Sequence, residues 1–256
     1  MTDQIEMSAD GAVLTVVFNR PAQRNAMTWA MYEGLVRACE RADTDDAIRV
    51  MVLRGAGGKA FVAGTDIAQF ADFTTGDDGV EYEHRVGAVL GRLQQVEVPT
   101  IAAIDGYCVG GGLGIAGSTD LRLATPGSVF GVPIARTLGN CLSAATLSLL
   151  VHHFGHARVN TLLLTAKMMP AEEAHALGFV AELSDDLDTL TSKTVDRILA
   201  QAPLSMWATK ETLRRLRQAA PAVDDTDIVS RVYASQDFHN AVQAFTTKQR
   251  PTWTGH

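Results

Sequence analysis

Gly110-Gly111-Gly112 is the run in this chain best suited to chemistry. It follows the apolar segment Thr100-Ile101-Ala102-Ala103-Ile104-Asp105 and leads into Leu113-Gly114-Ile115-Ala116-Gly117. A strand that empties into glycines and then a helix leaves backbone N–H groups without partners, and such groups hold an anion or a developing oxyanion. Glycine lets a ligand come close to the backbone. Three uses compete. Gly112 to Gly117 spells the GxGxxG of a dinucleotide site, but that fingerprint needs an acidic residue about 20 positions on for the ribose. Residues 121–171 contain no Asp or Glu. Glycines at a helix start also serve plain helix–sheet packing. The third use is half of an oxyanion hole, and it needs a second loop. Phe61-Val62-Ala63-Gly64-Thr65-Asp66 is also a strand-to-helix turn. Two such turns in consecutive β/α units can converge at one end of a sheet, each giving one amide to a single carbonyl oxygen.

A sheet must hold these turns. Residues 12–18 are β-branched and read as a strand, and Arg49 to Arg54 as another. Thr28 is placed to cap a helix reaching about Ala42, with Met31, Leu35, Val36 and Cys39 on one face. Residues 71–80 read as a mobile segment, followed by a helix from about Val80 to Gln95. Leu121–Ala124 and Val129–Val132 read as short strands. From Ser184 onward the pattern is helical, roughly over 185–201, 203–219, 221–236 and 238–247. The chain thus reads as an α/β core over 1–185 and an all-helical region over 186–256. Ile228, Val232, Tyr233, Phe238, Val242 and Phe245 give the helical region enough apolar content to pack on the core or on another subunit.

Composition narrows the class. The chain has 256 residues, 46% hydrophobic and 20% charged, which suits one large core with a small appendage. Its net charge of -7 argues against nucleic acid or an anionic membrane as the main partner. Cys39, Cys108 and Cys141 are an odd, widely spaced set without a CxxC, as expected of reduced thiols in a cytoplasmic protein. No metal-ligand spacing stands out. The polar, acidic Met1-Thr2-Asp3 start does not read as a signal peptide, and no run of 18 apolar residues suggests a membrane span.

Four landmarks, in order, resemble the crotonase (enoyl-CoA hydratase/isomerase) superfamily. They are Arg20-Pro21 through Asn25-Ala26-Met27, Gly55 through Ile67, Pro99 through Gly112, and Asp120-Leu121-Arg122 through Phe130-Gly131-Val132-Pro133. The resemblance covers about residues 11 to 182, and the helical tail also fits it. It implies a spiral of β-β-α units with a C-terminal helical region, assembled as a homotrimer or hexamer. It implies that the backbone N–H groups of Thr65 and Gly111 grip the carbonyl of an acyl-CoA thioester. It also implies that Gln23, Arg24, Ala26, Ala63, Asp66 and Ile67 line the coenzyme A channel and that Lys248 reaches a coenzyme A phosphate. Coenzyme A then arrives as part of the substrate, with no separate cofactor. Two fixed donors stabilise an enolate oxygen more than the neutral carbonyl, which is how such a site accelerates a reaction.

The pattern breaks at two positions. The resemblance implies a glutamate three residues after the oxyanion glycine and another directly after Pro133. Gly114 and Ile134 stand there instead, and neither transfers protons. Positioned acid–base groups contribute ~10²–10⁴-fold each, so hydration by the two-glutamate route is not expected. Replacement candidates sit at the start of the helix near Val80, where Glu81, Tyr82, Glu83 and His84 occur. Glu81 and His84 are taken as the acid–base pair. Arg136 is taken as a partner for a substrate carboxylate, with Asn140 and Cys141 close behind it in sequence. The function expected is an acyl-CoA lyase or isomerase working through an enolate, by isomerisation or decarboxylation. The alternatives are an acyl-CoA-binding protein with little catalysis and an acyl-CoA thioester hydrolase.

Overall fold

Short runs of β-branched and small apolar residues alternate with longer helical ones, and they segregate into two sheets wrapped by helices. The computed structural model describes residues 4–219 and 222–255. Met1-Thr2-Asp3 and the expected helix start at 221 lie outside the described residues. The strands are β1 (Ile5–Asp10), β2 (Val13–Phe18), β3 (Val50–Gly55), β4 (Ala60–Ala63), β5 (Thr100–Ile104), β6 (Tyr107–Val109), β7 (Leu121–Ala124), β8 (Val129–Gly131), β9 (Met169–Pro170) and β10 (Glu182–Leu183). The helices are α1 (Trp29–Thr44), α2 (Gly76–Gln94), α3 (Gly111–Gly117), α4 (Ile134–Thr137), α5 (Ala144–Phe154), α6 (His156–Leu164), α7 (Ala171–Ala176), α8 (Leu187–Leu199), α9 (Pro203–Gln218), α10 (Thr226–Tyr233) and α11 (Gln236–Thr246).

One sheet runs β1-β2-β3-β5-β7-β10 and the other β4-β6-β8-β9. The chain makes the same move three times. β3, β5 and β7 each add a strand to the larger sheet, then β4, β6 and β8 each add one to the smaller sheet, and α2, α3 and α4 follow. Each turn of this β-β-α spiral pairs in parallel with the one before, Ile101 against Leu121 in one sheet and Cys108 against Phe130 in the other.

Two cores explain the sequence of the central strands. Met51 and Leu53 of β3 and Ala102 and Ile104 of β5 face the main core beneath α1 and α2. Val50, Val52, Ile101 and Ala103 face a second core closed by Leu187, Leu190, Val195 and Ile198 of α8. Strands covered on both faces read as unbroken apolar runs, as parallel strands do. The C-terminal helices are therefore part of the packing: α8 completes a core, and α10 lies against α2. Among the described residues, no helix is long and apolar enough to cross a membrane.

The segment expected to be mobile, residues 71–80, includes the start of a helix. α2 begins at Gly76, and Asp78 Oδ2 accepts from the Thr74 and Thr75 N–H groups, each at 2.8 Å. Those bonds hold the Asp78 carboxyl below the usual range. The glycines there serve a close helix crossing. A Cβ on Gly79 would stand 2.1 Å from the Tyr233 ring, and one on Gly76 would stand 2.2 Å from the Ser230 carbonyl. Thr28 caps α1 as expected, accepting from the Met31 N–H at 3.3 Å. α10 begins at Thr226, five residues later than its expected start.

Candidate active site

The parallel pairing of β4 with β6 decides where the two glycine turns meet. Ala63 pairs with Val109. The chain then turns at Gly64-Thr65 on one strand and at Gly110-Gly111 on the other, so Thr65 and Gly111 sit at matching positions. A Cβ on Gly110 would stand 3.3 Å from the Gly64 Cα, and one on Gly111 would stand 3.5 Å from Thr65 Oγ1. Among the described residues, neither the Thr65 N–H nor the Gly111 N–H donates to a protein acceptor. The neighbouring amides are used: Met27 N–H donates to the Gly64 carbonyl, Asp66 N–H to Met27, and Gly110 N–H to Gly131. Two amides without a protein acceptor thus sit on adjacent turns that line one space.

That space is a cleft of about 810 Å³ lined by Thr65, Gly110 and Gly111 among others. Gln23, Arg24, Ala26, Ala63, Asp66 and Ile67 all line it. The loop that carries Gln23, Arg24 and Ala26 is welded to β4 and the turn before it by the buried Asn25, whose Nδ2 donates to the Ala60 and Ala56 carbonyls at 2.7 and 3.0 Å. Arg24 and Asn25 accept left-handed backbone, φ 51° and 57°, to make that turn. The Arg24 guanidinium lies 5.0 Å from the Tyr107 ring at the cleft mouth, and Arg20 pairs with Asp66 at 2.8 Å. Arg136 also lines the cleft, from an exposed position. Lys248 is exposed and does not line it; Phe245 is the residue of α11 that does.

The two positions that lack glutamates line the cleft as well. Ile134 presents an aliphatic side chain at the start of α4. Room beside Gly114 is occupied: Leu90 Cδ1 is 3.1 Å from where a Cβ would be.

The phase of α2 corrects the acid–base assignment. Glu81 and His84 are exposed and lie outside the cleft, whereas Tyr82 and Glu83 are buried and line it. The buried stripe Val86, Leu90 and Leu93 carries back one turn to Tyr82 and Glu83, so a helical repeat of 3.6 turns Glu81 and His84 outward. That stripe was the signal in the sequence that would have found Glu83.

Polar groups on the cleft lining, Thr65, Tyr82, Glu83 and Asn140, form two sets with the groups behind them. The Tyr32 and Tyr82 hydroxyls each hydrogen-bond the Thr65 hydroxyl, at 2.8 and 2.7 Å. Burial pushes the Tyr32 phenol up to about 12, and burial also raises Tyr82 well above its ordinary value. In the second set, Glu83 Oε2 accepts from the Ser143 N–H at 2.8 Å, and Glu83 Oε1 accepts from the Tyr233 hydroxyl at 3.0 Å. Tyr233 in turn accepts from Asn140 Nδ2 at 3.1 Å. Burial raises the Glu83 carboxyl, and the two donated hydrogen bonds offset only part of that. Burial and the nearby Glu83 push the Cys141 thiol up to about 12, so it is no thiolate nucleophile at neutral pH. Ser143, Asn140 and Tyr233 lie 57 to 150 residues from Glu83 in sequence, so nothing local announced them.

Comparison with known proteins fits this geometry. The sequence pattern of the enoyl-CoA hydratase/isomerase family matches residues 8–256. Enoyl-CoA hydratase EchA19 of Mycobacterium tuberculosis is 32% identical over 252 residues, covering 95% of this chain and 93% of that protein. The crystal structure of an enoyl-CoA hydratase/carnithine racemase from Magnetospirillum magneticum superposes with a TM-score of 0.81 at 33% identity, over 100% of this chain and 97% of that one. A methylmalonyl-CoA decarboxylase complexed with 2S-carboxypropyl CoA superposes with a TM-score of 0.90 at 26% identity, over 100% of both chains.

Proposed function

The chain belongs to the enoyl-CoA hydratase/isomerase family, and on that premise we propose that it is an acyl-CoA enzyme that works through a thioester enolate. The thioester carbonyl accepts from the Thr65 and Gly111 N–H groups, and the coenzyme A moiety lies along Gln23, Arg24, Ala26, Ala63, Asp66 and Ile67. The observation that carries this reading is the pair of amides without protein acceptors on the two adjacent turns, Gly64-Thr65 and Gly110-Gly111, that line the cleft. Such donors are worth most where charge develops, and losing one typically costs about 2.7–4 kcal/mol in the transition state.

With Gly114 and Ile134 at the glutamate positions, two-carboxylate hydration is not the favoured chemistry. Double-bond migration is the first reading, since it needs only an enolate and one group to move a proton. Decarboxylation of a malonyl-type thioester is the second. Loss of carbon dioxide leaves its electron pair on C2 and needs no base to form the enolate. The superposed decarboxylase supports that reading, as does Arg136 on the cleft wall, suited to a carboxylate. The test is to measure crotonyl-CoA hydration, but-3-enoyl-CoA isomerisation and methylmalonyl-CoA decarboxylation side by side. Isomerisation or decarboxylation is expected to exceed hydration by ~10²-fold or more, the contribution of one positioned acid–base group. Dominant hydration would refute the preference. Failure of all three thioesters to bind at millimolar concentration, read by calorimetry, would refute the site itself.

A further inference from the structure

The geometry points to Glu83 as the group that exchanges a proton with the acyl carbon next to the thioester, a catalytic role carried from α2 in place of positions 114 and 134. This inference rests on the reading of the cleft as an acyl-CoA site. Helix α2 runs past both halves of the amide pair. Its Tyr82 hydroxyl is 2.7 Å from the hydroxyl of Thr65. Its Leu90 packs against Gly114, on the helix that starts at Gly111. Glu83 lies on the same face between these two contacts and lines the cleft with Tyr82, Val86 and Leu90.

Among the described residues lining the cleft there are two carboxyl groups. Asp66 is tied to Arg20. Glu83 has no cation partner; only neutral donors hold it, the Ser143 N–H and the Tyr233 hydroxyl. A buried carboxyl without a counter-charge is costly unless its protonation state is used, and such groups concentrate at functional sites. The groups that face it are Tyr82 on its own helix, Tyr32 on α1, Tyr233 and the capping Asp225 of α10, and Cys141 in the loop before α5. None is a cation. Burial, with Asp225 nearby, holds the carboxyl above its ordinary value against the bonds from Ser143 and Tyr233, which brings it nearer the pH at which it can both take and return a proton.

In the step, the Glu83 carboxylate takes a proton from C2. The C–H electron pair moves into the C1–C2 bond, and the carbonyl pair moves onto the oxygen held by Thr65 and Gly111. The Glu83 carboxyl then returns the proton to C2, or to C4 of an allylic enolate, which shifts the double bond and restores the carboxylate. When carbon dioxide loss forms the enolate, Glu83 starts protonated and delivers its proton to C2. Tyr233 is a positioning residue: its hydroxyl holds Oε1 and favours the charged form.

The test uses the intact chain with but-3-enoyl-CoA in D2O, reading deuterium incorporation by mass spectrometry and thioester binding by calorimetry. Glu83→Gln keeps the acceptance from the Ser143 N–H through its amide oxygen and turns its amide N–H towards the Tyr233 hydroxyl oxygen, so binding is expected to stay within about threefold while exchange falls ~10²-fold or more. Tyr233→Phe is expected to keep exchange but move its acidic limb to higher pH, because a bond favouring the carboxylate is lost; a purely structural Tyr233 would leave the limb in place. Exchange by Glu83→Gln at the wild-type rate overturns the inference. So does a wild type that binds the thioester but exchanges nothing, which leaves the acyl-CoA reading standing. If Glu83→Gln does not fold, an unmoved limb in Tyr233→Phe overturns it. A wild type that does not bind the thioester overturns the acyl-CoA reading and the inference together.

Discussion

At the scale of residues, glycines in the same short helix do different work. A Cβ on Gly112 would stand 2.1 Å from the Val62 carbonyl oxygen, so only glycine lets α3 lie against β4 and bring Gly111 beside Thr65. A Cβ on Gly114 would meet only the tip of Leu90, 3.1 Å away. Gly112→Ala is expected to cost about 3 kcal/mol, the upper end of over-packing costs. Gly114→Ala is expected to stay within about 1 kcal/mol of the parent, because alanine's better helix propensity offsets a small displacement of Leu90. Urea unfolding of the two variants checks the contrast, and equal stability would refute the close helix–strand contact. Thr65 makes a second prediction. Its hydroxyl joins Tyr32 to Tyr82 and so ties the turn that carries its N–H to α1 and α2. Thr65→Val leaves two buried phenols short of a partner, at a cost of about 1–3 kcal/mol, and lowers kcat for thioester turnover. Thr65→Ser keeps the hydroxyl and is expected to retain most of the rate. Steady-state kinetics of the pair separate an effect of the hydroxyl from one of the side-chain methyl.

At the scale of elements, the end of α3 is held by charge and burial together. Arg122 donates from Nη1 to the Thr119 carbonyl at 2.7 Å and from Nε to the Phe179 carbonyl at 2.5 Å, a cation at a helix C-terminus. His153 on α5 lies within 2.7 Å of the Gly117 carbonyl through Nε2. A carbonyl only accepts, so Nε2 carries a hydrogen. Burial, with Arg122 nearby, pushes His153 down from 6.5 to about 4. Between these values the unfolded chain binds the proton and the folded chain does not. The contribution is therefore complete above about pH 6.5 and is lost as the pH falls towards 4, with a limiting slope of about 1.4 kcal/mol per pH unit. His153→Gln can still donate to Gly117 and does not titrate, so its unfolding free energy is expected to fall less steeply over that window. Identical slopes in denaturant titrations from pH 7 to 4 would refute the assignment. The same scale shows what the sequence made legible. The β-branched run of β2 and the glycine turns after β4 and β6 carry their structure locally, and the Thr28 cap does too. α2 was harder because its packing face opens with Gly76, Gly79 and Glu83, residue types that read as loop and surface. Only the contact with α10, arriving from Ser230 and Tyr233, makes them interior.

At the scale of the whole molecule, the β-β-α spiral brings the two amides together by repetition, since each turn adds one parallel strand to each sheet. The polar set around Glu83 is assembled from α2, the loop before α5 and α10, and no spacing rule links those segments. The C-terminal region remains incompletely covered in the single chain. α9 has no buried residue, and Leu204, Leu213 and Leu216 are 79%, 60% and 68% exposed. Polar contacts hold this helix to the core, with Lys210 2.6 Å from Asp120 and Arg217 bonded to Gln94. Phe245 of α11, 55% exposed, reaches the cleft lining. Leucines left this open in a long helix are characteristic of surface covered by another subunit. We therefore expect a homo-oligomer, a trimer or hexamer as the resemblance of the sequence implied, with α9 in its contacts. Light scattering at micromolar concentration should give a mass several times that of one chain. Leu213→Glu with Leu216→Glu should reduce it to the single-chain mass while leaving the far-ultraviolet dichroism unchanged, because neither side chain is part of the core. A wild type that runs as a single chain would refute the expectation. A double variant that keeps the larger mass would move the contact away from this part of α9.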